Sequence, residues 1–133
     1  MSGTCLKDKT ENYWQGLLKT MSAEDNIKRI QDLLRLGHYA QNPQGAAEDR
    51  AILSGEFSWI CGQLETILQR KPAIWNTMRK DVKSDTACEK AWEMTSDGLN
   101  ENGLRLRLKS CEKMMVGLGT LIKLAQSEAL NQL

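Results

Sequence analysis

The stretch from Arg70 to Lys83 gathers the residues best suited to act on a ligand. Arg70, Lys71, Arg79, Lys80 and Lys83 stand against Asp81 alone, a net charge of +4, with Trp75 among them. Guanidinium and ammonium groups hold phosphate oxygens, and an indole face stacks a base. The combination therefore suits single-stranded nucleic acid. Residues 84 to 101 reverse the sign, with Asp85, Glu89, Glu93, Asp97 and Glu101 against Lys90, a net of −4. Residues 102 to 133 return to +3. The acidic block could instead lie against its basic neighbours and neutralise them. A formal net charge of only +1 favours that intramolecular use, because it gives no general attraction to polyanions.

Catalytic chemistry finds little to work with. His38 is the single histidine, and no nucleophile motif surrounds it. It follows a helix end, where a cationic or hydrogen-bonding side chain is favourable. The four cysteines, Cys5, Cys61, Cys88 and Cys111, form no C-x-x-C pair, which argues against zinc. There is no Glu-x-x-His pair for a di-metal bundle and no Gly-rich phosphate loop. The carboxylate pairs Glu24/Asp25 and Glu48/Asp49 are expected in first turns of helices, where they complement the helix dipole. No enzyme, no cofactor and no metal is expected. Cys61 and Cys111 fall on apolar seams, where a reduced thiol acts as a small hydrophobe in a cytoplasmic protein.

The elements that must position these groups are helices. In the last thirty residues, Leu104, Leu108, Cys111, Met115, Leu118, Ile122, Ala125 and Ala129 step alternately by four and three. A second seam runs through Leu53, Phe57, Ile60, Leu64 and Ile67. Both spacings predict long helices that pack lengthwise. The fold expected is all-α, with about five helices and the segments 43–69 and 103–131 packed antiparallel in a bundle. Asn42 and Pro43 read as N-cap and first helical residue. Gly37 stops a helix over 22–36. Lys71-Pro72 is expected to end the second helix and begin a short one to Lys80. Ser84 caps the next, Asp97-Gly98 closes it, and Asn100 to Gly103 forms a turn before the last helix.

Residues 22–133 are expected to form one helical-bundle domain, and residues 1–21 an arm or short helix. The arm carries Tyr13, Trp14, Leu17, Leu18 and Met21 at amphipathic spacing. It either seeks a partner surface or packs back on its own domain. The N-terminus has no apolar leader, and no apolar run approaches the roughly 20 residues of a membrane span. No membrane association is expected. Gly55 and Gly62, seven residues apart, share a helix face beside Trp59 and suggest close approach of another backbone. Gly117 and Gly119 raise the same expectation. With Trp14, that face is the expected protein interface, and a homo-oligomer is the expected assembly.

The runs Ile52-Leu53-Ser54-Gly55-Glu56-Phe57-Ser58-Trp59, Arg70-Lys71-Pro72-Ala73-Ile74-Trp75 and Lys83-Ser84-Asp85-Thr86-Ala87-Cys88-Glu89-Lys90-Ala91-Trp92-Glu93 resemble small helical proteins encoded by bacteriophages and prophages. Some of these are recombination helpers that bind single-stranded DNA and help load a recombinase. The resemblance covers about residues 22 to 133. It implies a non-enzymatic, self-associating accessory protein that contacts single-stranded nucleic acid or a nucleic-acid-processing enzyme of host or phage. Arg70, Lys71, Trp75, Arg79, Lys80 and Lys83 are the expected contacts. The alternative is an inhibitor or adaptor that binds protein alone.

Overall fold

The computed structural model describes residues 23–132, with side chains from Asp25 onward. The arm, with Trp14, and the expected cap at Ser22 lie outside the described residues.

Four α-helices and one 3-10 turn make up these residues. Helix α1 is Ala23–Arg35. Gly37 ends it at φ 72°, in the left-handed region that glycine enters without a Cβ penalty. The 3-10 turn His38–Gln41 leads into α2, Pro43–Arg79. The Asn42 side-chain oxygen accepts the Gly45 N–H at 3.0 Å, and Pro43 supplies the first helical φ. Helix α3 is Asp85–Glu93, capped by Ser84 Oγ, which accepts the Ala87 N–H at 3.1 Å. Helix α4 is Ser96–Asn131, capped by Thr95, whose Oγ1 accepts the Gly98 N–H at 3.0 Å.

Two boundaries differ from expectation. Pro72 does not end α2, which runs on through it to Arg79. A proline inside a helix removes one hydrogen bond and costs about 3 kcal/mol. Here Pro72 and Leu68, whose carbonyl loses its partner, both lie on the exposed side. The turns beyond dock on α3: Trp75 Nε1 donates to Glu89 at 3.1 Å, and Cys88 Sγ donates to the Trp75 carbonyl at 3.4 Å. The short fifth helix expected over 72–80 is therefore the end of α2. At the second boundary, α4 begins at Ser96, so Gly98 and Asn100 to Gly103 are helical rather than a stop and a turn. The Thr95 cap outweighs the local turn chemistry.

The two long helices extend about 55 Å at 1.5 Å per residue. They lie antiparallel: Arg50 donates to the Met115 carbonyl at 3.3 Å, Cys111 Sγ to the Leu53 carbonyl at 3.1 Å, and Arg70 to Asp97 at 3.0 Å. The seam is the core. Ala46, Leu53, Ile60, Leu64 and Ile67 of α2 meet Leu104, Cys111, Met114 and Leu118 of α4, all buried. Phe57, Leu108, Met115 and Ile122 pack half-buried beside them. Ala129, at the end of the expected seam, is exposed. By the same register, the last turns of α4 run past the start of α2. Each buried Leu or Ile contributes about 1.5–3 kcal/mol, which outweighs the roughly 1 kcal/mol of helix propensity lost at Gly55 and at Gly62.

Helix α1 covers one flank of this hairpin with Ile27 and Ile30. It runs antiparallel to α2, since Asn26 donates to Glu56 and Arg29 to Asp49. Helix α3 closes the opposite end. Among the described residues no helix is long and apolar enough to cross a membrane.

Candidate functional site

The basic block sits where α2, α3 and α4 converge. Arg70 pairs with Asp97 at 3.0 Å, and Arg79 with Asp85 at 2.7 Å. Lys71 lies between Glu89 at 3.1 Å and Glu101 at 3.5 Å. Its ammonium also stands 5.2 Å from the ring centroid of Trp92, a cation–π contact. Trp75 donates its ring N–H to Glu89 rather than presenting it to solvent. The acidic block thus lies against the basic one. Four of the six residues expected to bind nucleic acid already hold a carboxylate. Lys80 and Lys83, exposed at the α2–α3 junction, form no ion pair among the described residues. A carboxylate beside Trp75 repels phosphate, so the stacking site is electrostatically poor.

A second polar cluster was not legible as such. Asp49, expected to serve the dipole of the first turn, lies one turn further on and accepts from two other elements. Arg29 donates to it at 2.9 Å and Tyr39 Oη at 2.5 Å. Burial pulls the Asp49 carboxyl up, but the hydrogen bonds from Arg29 and Tyr39 and the Arg29 charge outweigh it and hold the group below the ordinary carboxylate range. Burial, reinforced by the bond to Asp49, pushes the Tyr39 phenol well above its usual value. The cluster ties α1 and the 3-10 turn to α2. A native carboxyl held low stabilises the fold above the unfolded value near 3.9, and that stability is lost as pH falls through the lower native value. Asp49→Asn should cost about 2 kcal/mol at pH 7, since hydrogen bonds to charged groups contribute about 1.5–3 kcal/mol. The gap from the parent should start to narrow near pH 4 and shrink further as pH falls through the lower native value. Urea midpoints across pH 3–7 check both; a gap unchanged at pH 3 would refute the charge account.

His38 packs edge-on against Tyr39 with ring centroids 5.3 Å apart and is exposed. Cys88 and Cys111 are buried, and burial raises both thiols above the ordinary range. Neither is a candidate nucleophile. Among the described residues no group of three or more His, Cys, Asp or Glu could hold a metal.

Of the expected interface residues, Gly55, Trp59 and Gly62 form a shelf on the outer side of α2. Trp59 is 51% exposed there. A Cβ built at Gly55 or Gly62 meets nothing within 4 Å, and the same holds for Gly117. Gly119 would touch only the Arg50 side chain at 3.4 Å. Among the described residues, the close backbone approach suggested for these glycines is thus not made. Gly55→Ala and Gly62→Ala should each stabilise the isolated chain by about 1 kcal/mol, through helix propensity with no steric penalty. Thermal unfolding of the single variants tests this; a loss of stability would mean the space is not open. Beside the shelf a groove of about 360 Å³ runs between α2 and α4. Trp59, Gln63 and Arg70 line one wall, and Leu99, Gly103 and Arg107 the other. Leu99 and Leu106 are 62% and 59% exposed on α4, apolar surface that the heptad count passed over.

No protein-family model, curated protein or solved structure matches this chain.

Proposed function

We propose that the protein is a non-enzymatic helical accessory module that works by protein–protein association, with a second copy of its own chain as the first partner. The supporting observation is the α2 shelf, where a half-exposed Trp59 stands between two glycines that no described residue packs against. A flat helix face with one large aromatic anchor is the surface a second helix packs against. The first partner docks there through Ile52, Gly55, Trp59 and Gly62. The phage-type accessory role implied by the resemblance fits a module that assembles and carries no reaction centre.

A second reading, single-stranded nucleic-acid binding, is favoured only by Lys80 and Lys83. The two separate by salt. Sedimentation equilibrium should return more than the 15.0 kDa of one chain, with little change between low and high salt. Trp59→Ala or Gly62→Glu should return the monomer mass. A chain that is monomeric at all concentrations overturns the reading. A single-stranded oligonucleotide bound at low salt, and released by Lys80→Ala with Lys83→Ala, would establish the second one.

A further inference from the structure

We propose that the groove between α2 and α4 binds an extended acidic peptide, about five residues long, with a carboxylate toward each end. Among the described residues that line it, every ionisable side chain is cationic: Arg70 on α2 and Arg107 on α4. Asp97, which pairs with Arg70, and Glu56, which accepts from Asn26, do not line it. Arg70 is half exposed and gives Asp97 one of its five N–H groups, so donors remain for a second carboxylate.

The spacing of the two cations sets the length of the ligand. Asp97 faces Arg70 across the two helices. Arg107 lies ten residues further along α4, about 15 Å at 1.5 Å per residue. The two arginines therefore belong to opposite ends of the groove. Five residues of extended chain span about 16 Å. The width agrees. A volume of about 360 Å³ over that length is a cross-section of roughly 24 Å², room for an extended chain and not for a helix about 10 Å across. The middle of the groove suits a peptide backbone. Gln63 and Asn100 lie between the arginines, one on each wall, and both are exposed. Neither side chain makes a hydrogen bond among the described residues. A side-chain amide both donates and accepts, as each residue of a peptide backbone does. A Cβ at Gly103 would meet nothing within 4 Å, so a backbone can come close to the floor there. Leu99, mostly exposed on the α4 wall, offers apolar surface for a ligand side chain to cover.

The inference goes beyond the association proposed above and does not rest on it. The groove lies between the helices, whereas Gly55 and Gly62 lie on the outer side of α2, and only Trp59 is shared as a lip.

Peptide capture by the immobilised full chain tests it. The probe is a pool of acetylated, amidated pentapeptides with Glu fixed at the first and last positions, beside a pool with Lys fixed there. At low salt the Glu pool should be retained about tenfold or more over the Lys pool, and salt should release it. Arg70→Gln with Arg107→Gln should abolish the preference. Leu99→Glu should abolish it too, by setting a carboxylate in the groove while both arginines stay, and circular dichroism of each variant confirms the helices. Equal retention of the two pools overturns the proposal, as does a preference that survives either folded variant. Capture of single-stranded thymidylate in place of the Glu pool would assign the groove to nucleic acid and overturn it as well. Sedimentation of the same samples keeps the two proposals apart. A monomeric parent chain that still captures the Glu pool would sink the association alone. An assembled parent that falls to the monomer mass in Arg70→Gln with Arg107→Gln would give the groove to a second copy and overturn peptide binding.

Discussion

Trp92→Ala should remove about 3–5 kcal/mol of stability, the range for deleting a large aromatic from a core. Trp92 is 1% exposed and the largest fully buried side chain among the described residues. It is the plug by which α3 joins the hairpin. Its removal leaves a cavity and takes away the aromatic face under Lys71, whose two carboxylate partners remain. Against a total of about 5–15 kcal/mol, the loss should lower Tm by roughly 10 °C or more. Trp92→Phe should cost far less, about 1 kcal/mol. The indole Nε1 is buried with no hydrogen-bond partner among the described residues, so phenylalanine relieves an unsatisfied donor while keeping most of the volume. Urea midpoints for the two variants decide the matter. If Phe is as harmful as Ala, the ring nitrogen has a role that burial and packing do not explain.

Gly98→Ala should be destabilising by about 3 kcal/mol, the upper part of the usual range for overpacking. Helix propensity alone would favour alanine by about 1 kcal/mol, as it does at Gly55 and Gly62. At Gly98 the new Cβ would stand 1.9 Å from the Trp92 carbonyl oxygen and 2.7 Å from its carbon. Both are backbone atoms and cannot rotate aside. The turn between α3 and α4 must open, which drags the Thr95 cap and the Trp92 plug with it. Arg70–Asp97 and Lys71–Glu101 sit on the first turns of α4 and should loosen too. One substitution, Gly to Ala, is thus expected to have opposite signs at positions 62 and 98. Equal effects at both would show that the α3–α4 turn yields easily.

The α-helical class and the antiparallel pairing of two long helices were legible in the residues. Both heptad seams carry enough apolar surface to force a lengthwise contact, whatever surrounds them. Asn42, Ser84 and Gly37 were legible as ends for a related reason: a cap acts within four residues and needs no tertiary partner. Pro72 and Gly98 were misread because local rules treat proline and glycine as breaks. Docking of Trp75 on α3 carries a helix through the first, and close packing against Trp92 places the second inside a first turn.

The basic and acidic blocks are visible in the sequence as opposite charges, which suit either nucleic-acid binding or mutual pairing. Pairing is set by where α3 folds back, which brings Glu89 and Glu101 to Lys71 from eighteen and thirty residues away. The Arg29–Tyr39–Asp49 cluster joins three elements, so no local spacing announces it. Periodicity along one helix reports which residues turn inward, since that depends only on 3.6 residues per turn. Which outward residues are then covered depends on the neighbours' lengths and ends. That is why the face of Gly55, Trp59 and Gly62 could be read from spacing, whereas the groove between α2 and α4, walled by Gln63 and Arg70 on one side and Leu99 and Arg107 on the other, came only with the pairing of the two helices.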